Sequence, residues 1–241
     1  MVRTPVKTYS RAVAVLLILS MAGGWFGEMY VPSLMIAGDA AATADQLRLN
    51  DGLFRLGFAA YLVEASCDIV LAWLFYVLLK PAGRDLALLS AFFGLVSTSL
   101  FAVTKMFYFA APVVLRKGAY LTAFQPDQVE ALASLFLLIY PALAGLTMLF
   151  YGTGWIIRGY LTVKSGYLPR FAGAIMIIAG IGFAAKTITF VLAPAYSSGL
   201  LLAPMFLNLI VLVGWMAVKG VDRDRWDRAV ADQLRPVPAA V

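Results

Sequence analysis

Apolar residues fill this chain in long runs, and charged, proline or glycine residues gather between them. The runs predict helices over about 12–30, 53–79, 86–114, 130–157, 171–192 and 200–218. Each reaches or approaches the roughly 20 residues that cross the hydrocarbon of a bilayer. No stretch alternates apolar and polar positions as a strand would. The pattern predicts an all-α protein, a bundle of six transmembrane helices in a single integral membrane domain over 1–241.

Punctuation supports these boundaries. Lys80-Pro81 and Gly83 close the second run, and Asp85 restarts the chain as an N-cap. Thr43 is placed to cap a short surface helix in the first loop, 31–52. Pro141 lies inside the fourth run and predicts a kink of the kind a bundle tolerates. The first run has a rival reading. Val13 to Leu19 could be the apolar core of a signal peptide, with Ser20-Met21-Ala22 as its cleavage site. Apolar sequence continues through Trp25 and Phe26, and six spans fit the charge map better than five.

That map is one-sided. Arg48, Arg55, Arg116 and Lys117 fall in the loops 31–52 and 115–129 or beside them. Arg3, Lys7, Arg11, Lys80, Arg84, Arg158, Lys164, Arg170 and the basic residues of the tail 219–241 fall on the other side. The bias predicts both termini in the cytoplasm.

Composition narrows the chemistry. The chain is 62% hydrophobic and 13% charged, where a soluble domain is nearer half apolar and a quarter charged. Its net charge of +6 sits at the ends of apolar runs, with no basic patch among aromatics, so the bilayer is the expected partner and nucleic acid is not. Cys67 is the one cysteine and histidine is absent. No cofactor is expected: the residues exclude bis-histidine haem, an iron–sulfur cluster held by one chain, His/Cys zinc sites and every Ser-His or Cys-His catalytic arrangement.

Charges inside the apolar runs are the candidate chemistry. Glu64 and Asp68 stand four residues apart on one face of the second helix. They lie about 3 Å to either side of its middle at 1.5 Å per residue. Lys105 and Lys186 sit alone in the third and fifth runs, roughly 6–7 Å toward the outer side. Glu28, near the outer end of the first helix, is a further member. An unpaired charge near the midplane costs about 2.5–3.5 kcal/mol, so pairing of the carboxylates with the lysines is expected. Tyr61 shares the face of Glu64, and Tyr108 and Thr98 share that of Lys105. Ala172, Ala179 and Gly182 align with Lys186, and this small-residue stripe would let another helix approach. On that ground Lys186 is expected to face the interior and to matter more than Lys105. Such charges either form a substrate or proton site or a closed ion-pair network that only fixes packing.

Weaker features have bland readings. Asn208 suits a helix–helix hydrogen bond, and Gly23-Gly24 a packing contact. A Schiff base on Lys186 and a dyad of Lys105 with Ser97, Thr98 or Ser99 are possible chemically but have no supporting motif. Alternating Asp222, Arg223, Asp224, Arg225, Asp227 and Arg228 suit a solvated, self-paired tail, with Trp226 able to rest on the bilayer surface.

Several stretches together carry a resemblance. They are Phe26-Gly27-Glu28-Met29-Tyr30-Val31, Gly38-Asp39-Ala40-Ala41-Ala42-Thr43-Ala44, Leu53-Phe54-Arg55-Leu56-Gly57, Tyr76-Val77-Leu78-Leu79-Lys80-Pro81, Gly159-Tyr160-Leu161, Ser165-Gly166-Tyr167-Leu168-Pro169-Arg170, and Trp215 before Lys219-Gly220-Val221. In this order they resemble an uncharacterised family of bacterial multi-pass membrane proteins, a domain of unknown function. The resemblance implies a bacterial inner-membrane location and retention of the first helix, and it supplies no activity. The expected function is therefore small-molecule or proton-coupled transport, or binding of a small anionic or lipid-like ligand, at the buried cluster. The alternatives are a non-catalytic accessory or scaffold protein and an intramembrane lipid-modifying enzyme.

Overall fold

The computed structural model describes residues 6–116 and 123–234. Arg3, Lys117, Arg235 and the proline-rich end of the tail lie outside them. The described elements are α1 (Val6–Gly24), a π-turn (Trp25–Tyr30), α2 (Val31–Met35), α3 (Ala40–Leu49), α4 (Asp51–Leu79), α5 (Arg84–Val114), α6 (Pro126–Ser165), α7 (Arg170–Leu192), two 3₁₀ turns (Pro194–Tyr196 and Gly199–Leu202), α8 (Ala203–Val218) and α9 (Arg223–Leu234). No strand occurs among the described residues. Among the described residues six helical segments are long and apolar enough to cross a membrane, the first being Val6–Met35 as a whole.

Several boundaries differ from the sequence expectation. The first helical segment does not stop at Tyr30 but continues to Met35. The fourth runs to Ser165, so Arg158 belongs to the helix and not to a loop. A charged residue does not end a helix when its side chain can turn inward. The short loop helix α3 is capped by Asp39, whose carboxylate accepts the Ala42 N–H at 2.7 Å. Thr43 is instead buried and accepts from the Ala37 N–H. The tail is ordered as α9 up to Leu234.

The chain divides into two compact units. The larger comprises 1–18, 68–97 and 148–241. Its apolar core includes Val13, Leu74, Leu78, Leu161, Leu168, Leu212 and Met216. Here α6 and α7 meet through glycines at heptad spacing, Gly152 against Gly180 and Gly159 against Gly173. A Cβ on Gly152 would stand 2.5 Å from the Gly180 carbonyl oxygen, and one on Gly173 2.7 Å from that of Gly159. The backbones therefore touch, which is how membrane helices gain dispersion energy without a hydrophobic drive. The end of α8 and α9 fasten to this core. Gly220, at φ 65°, lets the chain turn beside Ser10, whose hydroxyl accepts the Val221 N–H. Trp226 packs its ring on the core, and its indole N–H donates to the Leu78 carbonyl.

The smaller unit comprises 19–67 and 98–147. Val31, Met35, Leu47, Phe54, Tyr108, Ala111, Ala133, Leu137, Tyr140 and Ala144 form its core. Gly23 and Gly27 let the first helical segment press on α4, where a Cβ on Gly27 would stand 2.6 Å from the Gly57 carbonyl oxygen.

Candidate functional site

Proline sets the local geometry of the smaller unit. A proline inside a helix has no N–H for the carbonyl four residues earlier, and its ring crowds that carbonyl. Pro32 does this to Glu28, and Pro112 to Tyr108. Ahead of Pro32 the helix widens into the π-turn, with the Val31 N–H reaching back to the Phe26 carbonyl. Such widened turns occur frequently at functional sites. This one carries Glu28, and the turn directs it to Lys105.

Lys105, on α5, is 1% exposed. Its ammonium pairs with the Glu28 carboxylate. It also lies over three tyrosine rings, 4.3 Å from the centroid of Tyr140, 4.4 Å from Tyr108 and 5.1 Å from Tyr61. A desolvated cation over an aromatic face gains about 2 kcal/mol or more, so the rings replace part of the lost hydration. The Tyr140 hydroxyl donates to the other oxygen of Glu28. Glu64 also acts electrostatically on Lys105. Its carboxylate lies beside Gly24, where an added Cβ would stand 2.7 Å from Oε1. The Gly23-Gly24 pair is thus a packing contact that also leaves room for an acid. The Tyr108 hydroxyl is buried and has no hydrogen-bond partner among the described residues.

Glu28, Glu64, Lys105, Tyr61 and Tyr108 therefore stand in one unit. Two carboxylates face one ammonium, a formal charge of −1. Asp68, Lys186 and Asn208 belong to the larger unit. Lys186 is partly buried and makes none of the ion pairs seen among the described residues. Asn208 is fully buried, and neither its amide nitrogen nor its oxygen has a hydrogen-bond partner there, so the expected interhelical bond is not formed. No bond joins Lys105 to Ser97, Thr98 or Ser99 among the described residues.

Two residues of the interior escaped the sequence reading. Tyr140 was hidden in an apolar run, although a tyrosine beside Pro141 near the middle of a span is a signal. Arg158, 7% exposed, lies over the Phe75 ring at 4.4 Å and feels the charge of Asp68. Its signal was the apolar sequence resuming at Gly159-Tyr160-Leu161.

Near the ends of the spans, Arg48 bridges Asp45 at 3.0 Å and Glu130 at 2.9 Å, and the hydrogen bond to Glu130 raises its pKa further. Arg55 holds Asp51 at 2.7 Å, while Arg116 reaches Asp51 only at 3.8 Å.

A family model described as a domain of unknown function, DUF4386, matches residues 12–220. An uncharacterized protein of Archaeoglobus fulgidus is 24% identical over 153 residues, which is 64% of this chain and 76% of that one. No solved structure matches the chain.

Proposed function

The chain belongs to the DUF4386 family, a domain of unknown function, and with that membership as premise we propose that it is a multi-pass membrane protein whose Lys105 cluster binds and releases a proton during transport of a small solute. The observation that carries this reading is the charge count. Glu28 and Glu64 share one buried ammonium, and a net charge held in a medium of low dielectric is costly. One bound proton makes the cluster neutral. A metal or organic cation is a poorer fit, because the Lys105 ammonium already occupies the carboxylate and ring faces that such an ion would use. Glu28 is engaged by Lys105 and Tyr140. Glu64, whose carboxylate acts on Lys105 through its charge and lies in the space beside Gly24, is the acid assigned to carry the proton, and its loss and gain would change the attraction that holds Lys105. The basic bias supports cytoplasmic termini, with the 31–52 and 115–129 loops outside.

Infrared difference spectra between acidic and alkaline buffer test this assignment. A protonated-carboxyl band should be present in the parent and absent in Glu64→Gln. In liposomes containing a pH dye, solute-driven proton uptake should disappear in the same variant. A band unchanged in Glu64→Gln would remove the proton from this residue. Stabilisation by sodium chloride but not by choline chloride would replace the proton by a monovalent cation.

A further inference from the structure

A cavity lies in the same unit as the Lys105 cluster. Leu47, Arg48, Asp51, Pro112, Leu115 and Arg116 line a cavity of about 220 Å³. This is below the usual 300–1,000 Å³ of drug-sized ligand sites, so its occupant is small. Its lining is half apolar, from two leucines and a proline, and half ionic. Among the ionic groups Arg116 stands apart. Arg48 is held by two carboxylates and Asp51 by Arg55, all at 3.0 Å or less, whereas among the described residues Arg116 reaches one carboxylate, that of Asp51, at 3.8 Å, and Arg55 already holds it. Its side chain is 56% exposed. Arg48 uses one terminal nitrogen for both of its partners. Its other N–H groups make no hydrogen bond among the described residues, and a guanidinium has five to offer.

The cavity is also in line with Lys105. On α5, Pro112, Tyr108 and Lys105 follow one another at intervals of four and three, which keeps them on one face. On α4, Asp51, Phe54 and Tyr61 follow at intervals of three and seven, which also keeps them on one face. The Phe54 and Tyr108 rings stack at 4.7 Å with 19° between their planes. Along both helices this stack stands between the cavity lining and the lysine, and the Tyr108 hydroxyl on it is buried without a hydrogen-bond partner among the described residues.

We infer that this cavity binds a small carboxylate with a short apolar chain, the carboxylate on Arg116 and Arg48 and the chain against Leu47, Pro112 and Leu115. The inference deepens the proton-site reading by naming the solute class, and the stacked Phe54–Tyr108 pair is the barrier that the solute meets on the way to Lys105. Binding at the cavity itself does not require the proton site.

Isothermal titration of the detergent-purified protein with sodium butyrate tests it, with sodium chloride at equal ionic strength as the control. Butyrate should bind the parent, and Arg116→Gln should weaken it about tenfold or more, the equivalent of about 1.4 kcal/mol. Arg116 makes only the long contact to Asp51, so the variant should melt with the parent. The Lys105→Met/Glu28→Gln variant should still bind butyrate. If it binds while Glu64→Gln keeps the carboxyl band, the proton reading fails and the cavity stands. Equal butyrate affinity in parent and Arg116→Gln overturns the inference. So does a cavity that ignores butyrate while phosphatidylglycerol in nanodiscs protects Arg116 from guanidinium-directed labelling, since the occupant is then a lipid headgroup.

Discussion

Among the described residues each unit buries one cation, and the two are satisfied differently. In the larger unit Arg158 lies on the Phe75 ring and feels the charges of Tyr151 and Asp68. The helix that carries Arg158 is locked to α7 by glycine contacts on either side of it, at Gly152 and Gly159. In the smaller unit Lys105 answers to Glu28 and Glu64, so the charges do not cancel. Glu28 rides on a π-turn ahead of a proline, and the carboxylate of Glu64 sits in the space a glycine leaves. A cation stacked on a ring, on a helix locked by glycine contacts, has the form of a structural element. An ammonium facing two carboxylates, one of them carried on a π-turn, has the form of a site. Both lie in a chain with only 13% charged residues, so each buried charge is a substantial commitment of folding energy.

The largest expected effect breaks the smaller unit. Lys105→Met leaves Glu28 and Glu64 without their cation and should cost about 3–5 kcal/mol, as breaking a buried pair does. Lys105→Met with Glu28→Gln should recover most of that loss, because the pair disappears as a whole. Thermal melting in one detergent reads both. A double variant as unstable as the single would mean that lysine packing, not charge, holds this region.

Arg158→Met is the matching test in the larger unit. Asp68 is only partly buried, and the loss should be about 1–3 kcal/mol. The pH dependence of the infrared carboxyl band should be that of the parent. A loss larger than that of Lys105→Met, or a changed band, would reverse the assignment of structural and working roles.

How far this contrast could be read from the sequence is itself a matter of physics. The six apolar runs, Lys105, Glu28, Tyr61 and Tyr108 were legible, because hydropathy and helical spacing depend on local sequence alone. Their partners were less so. Glu28 meets Lys105 through a π-turn, and a pattern counted at 3.6 residues per turn does not describe a widened turn. Pro32 was visible but was read as part of a loop, since a proline just after an apolar run ordinarily ends it. Arg158 was assigned to the cytoplasmic loop because arginine is the commonest marker of that side. Nothing in the spacing of α6 shows that its guanidinium finds Phe75 and Asp68. The stripe of Ala172, Ala179 and Gly182 on α7 was seen, but Gly182 meets the Leu201 backbone, the contacts with α6 glycines run through Gly173 and Gly180, and the stripe does not place Lys186 in an ion pair.

Glycine substitutions sharpen the comparison at smaller scale. Gly180→Ala puts a methyl 2.6 Å from the Gly152 carbonyl oxygen, where backbone must move. Overpacking of this kind costs about 1–3 kcal/mol. Gly24→Ala meets a carboxylate, the mobile end of Glu64, so it should cost less and shift the infrared carboxyl band instead. A silent band in Gly24→Ala would separate Glu64 from the proton.

The smallest effect concerns the way the larger unit is closed outside the membrane. The Tyr167 hydroxyl, between α6 and α7, donates to the Leu78 carbonyl at 2.7 Å, and the same carbonyl accepts from Trp226. Tyr167→Phe removes one of these donors and keeps the ring, so the loss at neutral pH should be about 0.5–1.5 kcal/mol. The phenol adds a pH signature. Burial raises the Tyr167 pKa above its ordinary value of 10.0, so the folded chain holds this proton more firmly than the unfolded chain. Its contribution is complete below the unfolded value and is lost as pH rises from there toward the folded value. The stability gap between parent and Tyr167→Phe should therefore shrink between about pH 8 and about pH 11, because only the parent carries the ionisable phenol. Denaturant unfolding at those two pH values measures it. A gap that stays constant would show that the hydroxyl is hydrated rather than sealed under α9, and that this end of the unit opens more readily than its hydrogen bonds imply.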